Sequence, residues 1–186
     1  MTPDASLALL AKHGGNAPWG KHCHAVADAA SKLGHALNRF HAVDHAFLRS
    51  AALLHDIGRC VTHDPVGHGV EGYHLLTALG HAREARVCAA HVLFGLDAAD
   101  AERSGLPARD FHPQSVEERI VTLADLLIEY DTPTTLHDRF TSLRKRNAGN
   151  AFFMDRLDRA RERAEACMQR FSTEIGRPVG ELLAAP

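Results

Sequence analysis

The stretch Ala51–Arg59, AALLHDIGR, sets an adjacent histidine and aspartate, His55 and Asp56, at the end of an otherwise apolar run. Upstream of the pair, Phe47, Leu48, Ala51, Leu53 and Leu54 make the segment apolar nearly all round, so it reads as a central, buried helix. Asp44 is its natural N-cap and Gly58 its stop. An ionised carboxylate carried into such surroundings costs several kcal/mol unless it is compensated. Consecutive helical side chains project about 100° apart, so His55 and Asp56 can reach one metal ion while the carboxylate bridges to a second. The helix terminus alone can also satisfy both groups, and the pair gains meaning only from the rest of the chain.

Outward from this helix, apolar residues recur at spacings of three and four almost throughout, with no convincing strand alternation. Lys21 to Leu37 carries Val26, Ala29, Ala30, Leu33 and Leu37 on one stripe. Arg59 to Gly69, with Pro65 and the glycines between Gly67 and Gly72, reads as a loop leading into a helix from about Val70 to Leu79. Further helices are predicted over His81 to Phe94 and over Val116 to Tyr130, the latter opened by a Ser115–Glu118 capping box and closed at Thr132-Pro133. Between them, Gly95 to Ser115 is expected to be irregular apart from a turn of helix in DAADAERSG. A helix from near Thr135 and a longer one from about Asn150 to Ile175 follow, the alternating acids and bases of the latter forming a solvated face. The expected architecture is all-α, a single domain over residues 1–186 with seven or eight helices.

Composition narrows the function. Lys and Arg total 21 against 23 Asp and Glu, a formal charge of -2, so there is neither the basic field of a nucleic-acid binder nor an acidic tail. The 14 histidines are the outlier and favour a metal site or acid–base chemistry. Cys23, Cys60, Cys88 and Cys167 form no C-x-x-C pair, which argues against a thiolate zinc site or redox motif and for a reduced cytoplasmic setting. The apolar run near the N-terminus is too short for a signal-peptide core and no stretch is long enough to span a bilayer, so no membrane association is expected.

Three segments give the pair its context. KHCHAVADAASKL brings His22, AALLHDIGR follows about thirty residues later, and TLADLLI sets Asp125 on an amphipathic helix. This ordered set of His, His-Asp and a distal Asp resembles the HD superfamily of metal-dependent phosphohydrolases, and Ile57-Gly58 resembles its HDIG subset. The resemblance implies a helical bundle whose metal-binding core covers about residues 20–130, with C-terminal helices over 131–186. Within it His22, His55, Asp56 and Asp125 would bind a first metal. Members with two metals carry further histidines between the HD pair and the last Asp. GHGVEGYHLL and VCAAHVLFG supply His68 and His91, which look like that pair and would complete a second site with Asp56 bridging. The run from THDPVGHGVEG to TLADLLI further resembles a group of uncharacterised archaeal and bacterial HDIG proteins. In that group the residue after the last Asp is often Asn; here it is Leu126, which cannot steady Asp125 with a hydrogen bond.

The implied activity is hydrolysis of a phosphomonoester or phosphodiester, of a nucleotide or other small phosphorylated metabolite, through hydroxide derived from metal-bound water. Nitrogen and carboxylate ligands suit two divalent transition-metal ions of Fe, Mn, Co, Ni or Zn. Asp56, Arg59 and His63 are the expected catalytic residues: Arg59 as a guanidinium fork for phosphate, His63 from the adjoining loop as an acid or substrate contact. Lys21, Arg144, Lys145 and Arg146 read as generic surface charges. Two other activities use the same ligands: a di-iron HD-fold oxygenase, and a non-catalytic module sensing a nucleotide or metal. The expected partner is the small phosphorylated substrate, with a homodimer through an apolar helix face as a further expectation.

Overall fold

Side-chain caps start most of the helices in the computed structural model, which describes residues 1–184. Thr2 caps α1 (Pro3–Gly14), Asp44 caps α3 (His45–Leu54), Asp97 caps α6 (Ala98–Arg103) and Ser115 caps α7 (Val116–Leu126). Thr135 and Asn150 do the same for α8 (Leu136–Arg146) and α9 (Ala151–Ile175). In each case the side-chain oxygen accepts an amide that the first helical turn leaves unpaired. Glu118 reaches back to the Gln114 amide at 2.6 Å, so the predicted capping box closes one residue further out than expected. The remaining helices are α2 (Pro18–Leu37), α4 (Gly67–Ala78), α5 (Ala82–His91) and α10 (Val179–Ala184).

The fold is all-α, as expected, but the described residues hold ten α-helices rather than seven or eight. The additions are terminal: α1 and the short α10, neither of which carries an apolar stripe long enough to stand out. A two-residue antiparallel ribbon, β1 (Ile128–Glu129) with β2 (Thr132–Pro133), ends α7 at Leu126 rather than Tyr130. The ribbon turns through Tyr130, whose φ of 60° no helix accommodates. The predicted helix over His81 to Phe94 stops at His91, because Leu93 and Phe94 also take positive φ before Gly95. Residues 185 and 186, the end of the expected C-terminal segment, lie outside the described residues.

The predicted loop over Arg59 to Gly69 is shorter than expected. A 3-10 turn occupies Ile57–Cys60, and α4 already begins at Gly67. Its glycines serve close helix packing rather than a loop. A Cβ on Gly58 would stand 1.9 Å from the His68 carbonyl oxygen, and one on Gly69 would stand 2.6 Å from the Cys88 carbonyl oxygen. Bare backbone at these points lets the 3-10 turn lie against α4 and α4 against α5.

Helix α3 is central, as its nearly all-round apolar surface requires: it packs on α1, α2, α5 and α7, and Ala52, Leu53 and Leu54 are wholly buried. The core runs from Leu10 to Leu183. Among the described residues no helix is long and apolar enough to cross a membrane.

Candidate metal centre

Five helix ends converge on one point. His22 comes from the second turn of α2, and His55 caps the C-terminus of α3 with Asp56 next to it. His68 stands in the first turn of α4, His91 ends α5, and Asp125 lies in the last turn of α7. All six are buried. The donor atoms of His22, His55 and Asp56 lie within 4.8 Å of one another, and so do those of Asp56, His68 and His91. Asp56 belongs to both groups. Asp125 Oδ1 adjoins the first, 2.9 Å from His22 Nε2 and 3.8 Å from His55 Nε2.

Hydrogen bonding fixes which ring nitrogen faces the centre. Nδ1 of His22 donates to the Tyr130 carbonyl at 2.7 Å, that of His55 to Ala52 at 2.7 Å, that of His68 to Asp64 at 2.8 Å and that of His91 to Val87 at 3.4 Å. A carbonyl only accepts, so each Nδ1 carries a proton and Nε2 is the nitrogen turned inward, bare wherever the ring is neutral. Burial pushes the His55 pKa down to about 4 and that of His68 below its ordinary value, keeping both rings neutral at pH 7. His22 is the exception. Burial opposes its charge, but the bond to Asp125 and the charges of Asp125 and Asp56 outweigh it and raise its pKa. Asp125 is correspondingly held low: burial works the other way, and His22 and Arg139 overcome it.

The result is a set of lone pairs facing one another. His68 Nε2 is 3.1 Å from His91 Nε2 and 3.0 Å from Asp56 Oδ1. Among the described residues, His55 Nε2 and Asp56 Oδ1 have no hydrogen-bond partner although both are buried. Buried acceptors without donors are costly unless a cation lies between them. The donor set is imidazole nitrogen plus carboxylate oxygen, the chemistry of divalent transition metals, so these residues fit such an ion.

The centre forms one end of a cavity of about 440 Å³. Of the expected catalytic residues, Arg59 and His63 both line it. Arg59 is not a surface ion pair: its Nε donates to Asp56 Oδ2 at 2.5 Å and the guanidinium borders the cavity. Of the expected surface charges, Arg144 pairs with Asp158 in solvent, whereas Arg146 lines the cavity and lies 3.3 Å from Glu129. Leu126 lines the cavity too, and the hydrogen bond it cannot give Asp125 comes from Arg139 on α8, at 3.4 Å. Sequence reading missed Arg139. Its signal is nonetheless present, since Arg139, Phe140, Leu143, Arg146 and Asn147 recur at three- and four-residue spacings and all face the cavity.

Comparison with known proteins agrees with this geometry. An uncharacterised protein of Methanocaldococcus jannaschii is 36% identical over 132 residues, covering 70% of this chain and 78% of that protein. A tRNA (cytidine(56)-2'-O)-methyltransferase of Thermoplasma volcanium is 29% identical over 177 residues, 95% of this chain and 48% of the relative. One of Picrophilus torridus is 31% identical over 109 residues, 58% of this chain and 32% of the relative. The chain therefore spans less than half the length of either methyltransferase. No solved structure matches it. The HD domain profile matches residues 19–129, which hold all six converging side chains, and the chain belongs to the HD domain family, generally metal-dependent hydrolases.

Proposed function

We propose that this chain is a metal-dependent phosphohydrolase of the HDIG type, acting on a small phosphate ester at a two-ion centre. The observation that carries the reading is the convergence of inward-facing Nε2 atoms and two carboxylates at the end of a cavity lined by Arg59, Arg139 and Arg146. His22, His55, Asp56 and Asp125 would hold one ion and Asp56, His68 and His91 the other. What bound divalent ions supply is water acidified towards neutrality and positive charge against the phosphoryl oxygens.

The chain's own groups do the rest. Arg59 is oriented by Asp56 through Nε, which leaves the far edge of its guanidinium for a phosphoryl oxygen. Arg139 steadies Asp125 and brings a second guanidinium to the same end of the cavity. In hydrolysis a water oxygen bonds to phosphorus, the ester P–O bond breaks, and the leaving oxygen takes a proton to give an alcohol and inorganic phosphate. An imidazole nitrogen of His63, on the cavity lining, is the donor we assign to that proton. Methyl transfer, the activity in two relatives' names, is not carried over, because the chain spans less than half of each.

The test is p-nitrophenolate release from p-nitrophenyl phosphate and bis(p-nitrophenyl) phosphate by protein reconstituted with Mn, Co, Ni, Zn or ferrous iron. Activity that chelator removes and Asp56→Ala abolishes is the expected result. Unchanged hydrolysis by a correctly folded Asp56→Ala protein overturns the proposal.

A further inference from the structure

Beyond the metal centre the cavity changes character. An apolar wall is made by Leu93 and Phe94, by Phe140 and Leu143 of α8, and by Phe153 and Leu157 of α9, the last four outside the residues that match the family profile. The wall is held in place by a strained piece of backbone. Leu93 and Phe94 take φ of 53° and 55°, values that bulky side chains rarely adopt. Arg163 of α9 stabilises this turn by donating from one Nη2 to the carbonyls of Leu93 at 3.0 Å and Gly95 at 3.3 Å.

The arginines at the polar end are paired. Arg59 faces Asp56, Arg139 faces Asp125 at 3.4 Å and Glu129 at 3.8 Å, and Arg146 faces Glu129 at 3.3 Å. Each arginine of the lining thus has a carboxylate within 4 Å. Against these six side chains a sugar hydroxyl meets no polar partner, whereas a ring or alkyl chain meets carbon; the polar groups Arg146 and Asn147 lie on the same α8 stripe as Phe140 and Leu143.

We infer that the cavity selects phosphate monoesters with an aromatic or alkyl body over sugar phosphates. The inference rests on the phosphohydrolase reading for its phosphoryl end and on the apolar wall for its body. The volume, about 440 Å³, accommodates a one- or two-ring body beside the phosphoryl group.

The test measures binding separately from turnover. Calorimetric titration of the zinc-loaded full chain with benzylphosphonate, methylphosphonate and ribose 5-phosphate is expected to show benzylphosphonate tighter than either of the others by about tenfold or more. Phe140→Ala should reduce that preference. Leu143→Gln, at a half-buried position that the fold tolerates more readily, should reduce it as well, with the melting temperature close to that of the parent. Equal affinity for benzyl- and methylphosphonate, tightest binding of ribose 5-phosphate, or no binding of any of the three overturns the inference. Hydrolysis of esters without an apolar preference overturns it while leaving the proposed function standing. An apolar preference in binding with no hydrolysis of any ester overturns the proposed function and supports the ligand class.

Discussion

His68 Nε2 and His91 Nε2 stand 3.1 Å apart, and each ring gives its Nδ1 proton to the backbone one turn before it. Two lone pairs at that distance repel unless a cation joins them. We therefore expect two transition-metal ions per chain by elemental analysis, falling to one in His68→Ala and in His91→Ala. A ligand at 100 times its dissociation constant stabilises the fold by about 2.7 kcal/mol. At this chain length that is roughly a 5–10 °C rise in melting temperature over chelator-treated protein. Two ions retained in the His68→Ala/His91→Ala double variant would remove these histidines from the centre.

Arg139 reaches Asp125 from outside the residues matched to the family, and its side chain is largely buried between Asp125 and Glu129. Replacing it by Met keeps the packing of the stem and removes the bond that steadies the aspartate. The expected outcome is a 10–100-fold loss of kcat/KM with metal content unchanged, the range associated with removing a partner of a metal ligand. Steady-state kinetics beside elemental analysis checks it, and undiminished kcat/KM would leave Arg139 a purely structural residue.

These two cases show what is and is not legible in the chain. The six converging residues could be read because each is a side chain of ligand chemistry in a fixed order, and Asp44 and Ser115 announced their helices through cap chemistry. Arg139 and Arg146 share a helical stripe with Phe140 and Leu143, but a stripe that lines a cavity has the same periodicity as one that lines a core. The carbonyl that orients His22 belongs to Tyr130, and the wall turn depends on the φ angles of Leu93 and Phe94. Backbone atoms leave no mark in side-chain patterning. Gly58 reads as the helix stop, but α3 already ends at Leu54 and Gly58 lies within the 3-10 turn, where what requires glycine is the approach of α4.

That approach makes a sharp prediction. A Cβ at position 58 would lie 1.9 Å from the His68 carbonyl oxygen and 2.4 Å from the Gly72 amide nitrogen, both backbone atoms that cannot swing aside. Gly58→Ala is expected to cost about 3 kcal/mol or more and to displace His68 with α4, so that metal content falls together with stability. Gly149→Ala, where an added Cβ meets nothing within 4 Å, is the control and should stay within about 0.5 kcal/mol of the parent. Chemical denaturation of both variants separates the two. Equal midpoints would show that the contact between the 3-10 turn and α4 relaxes freely.

Asp100 and Arg156 tie α6 to α9 through two bonds of 2.5 Å, Nε to Oδ2 and Nη2 to Oδ1, behind the apolar wall of the cavity. The bond from Arg156 is the main cause holding the Asp100 pKa below its ordinary value, with the Arg156 charge adding to it against burial. A carboxylate whose folded pKa is depressed contributes stability that is complete above its unfolded pKa of about 3.9 and is lost as pH falls through the lower, folded value. We expect Asp100→Asn to lower stability by about 2 kcal/mol at pH 7, a drop of roughly 4–8 °C in melting temperature. The difference from the parent should persist at pH 5, narrow as the pH falls below about 3.9 and close once the parent aspartate is itself protonated. Melting curves of both proteins across that range decide it, and a difference that stayed constant down to pH 2 would trace the loss to packing of the amide rather than to the ion pair.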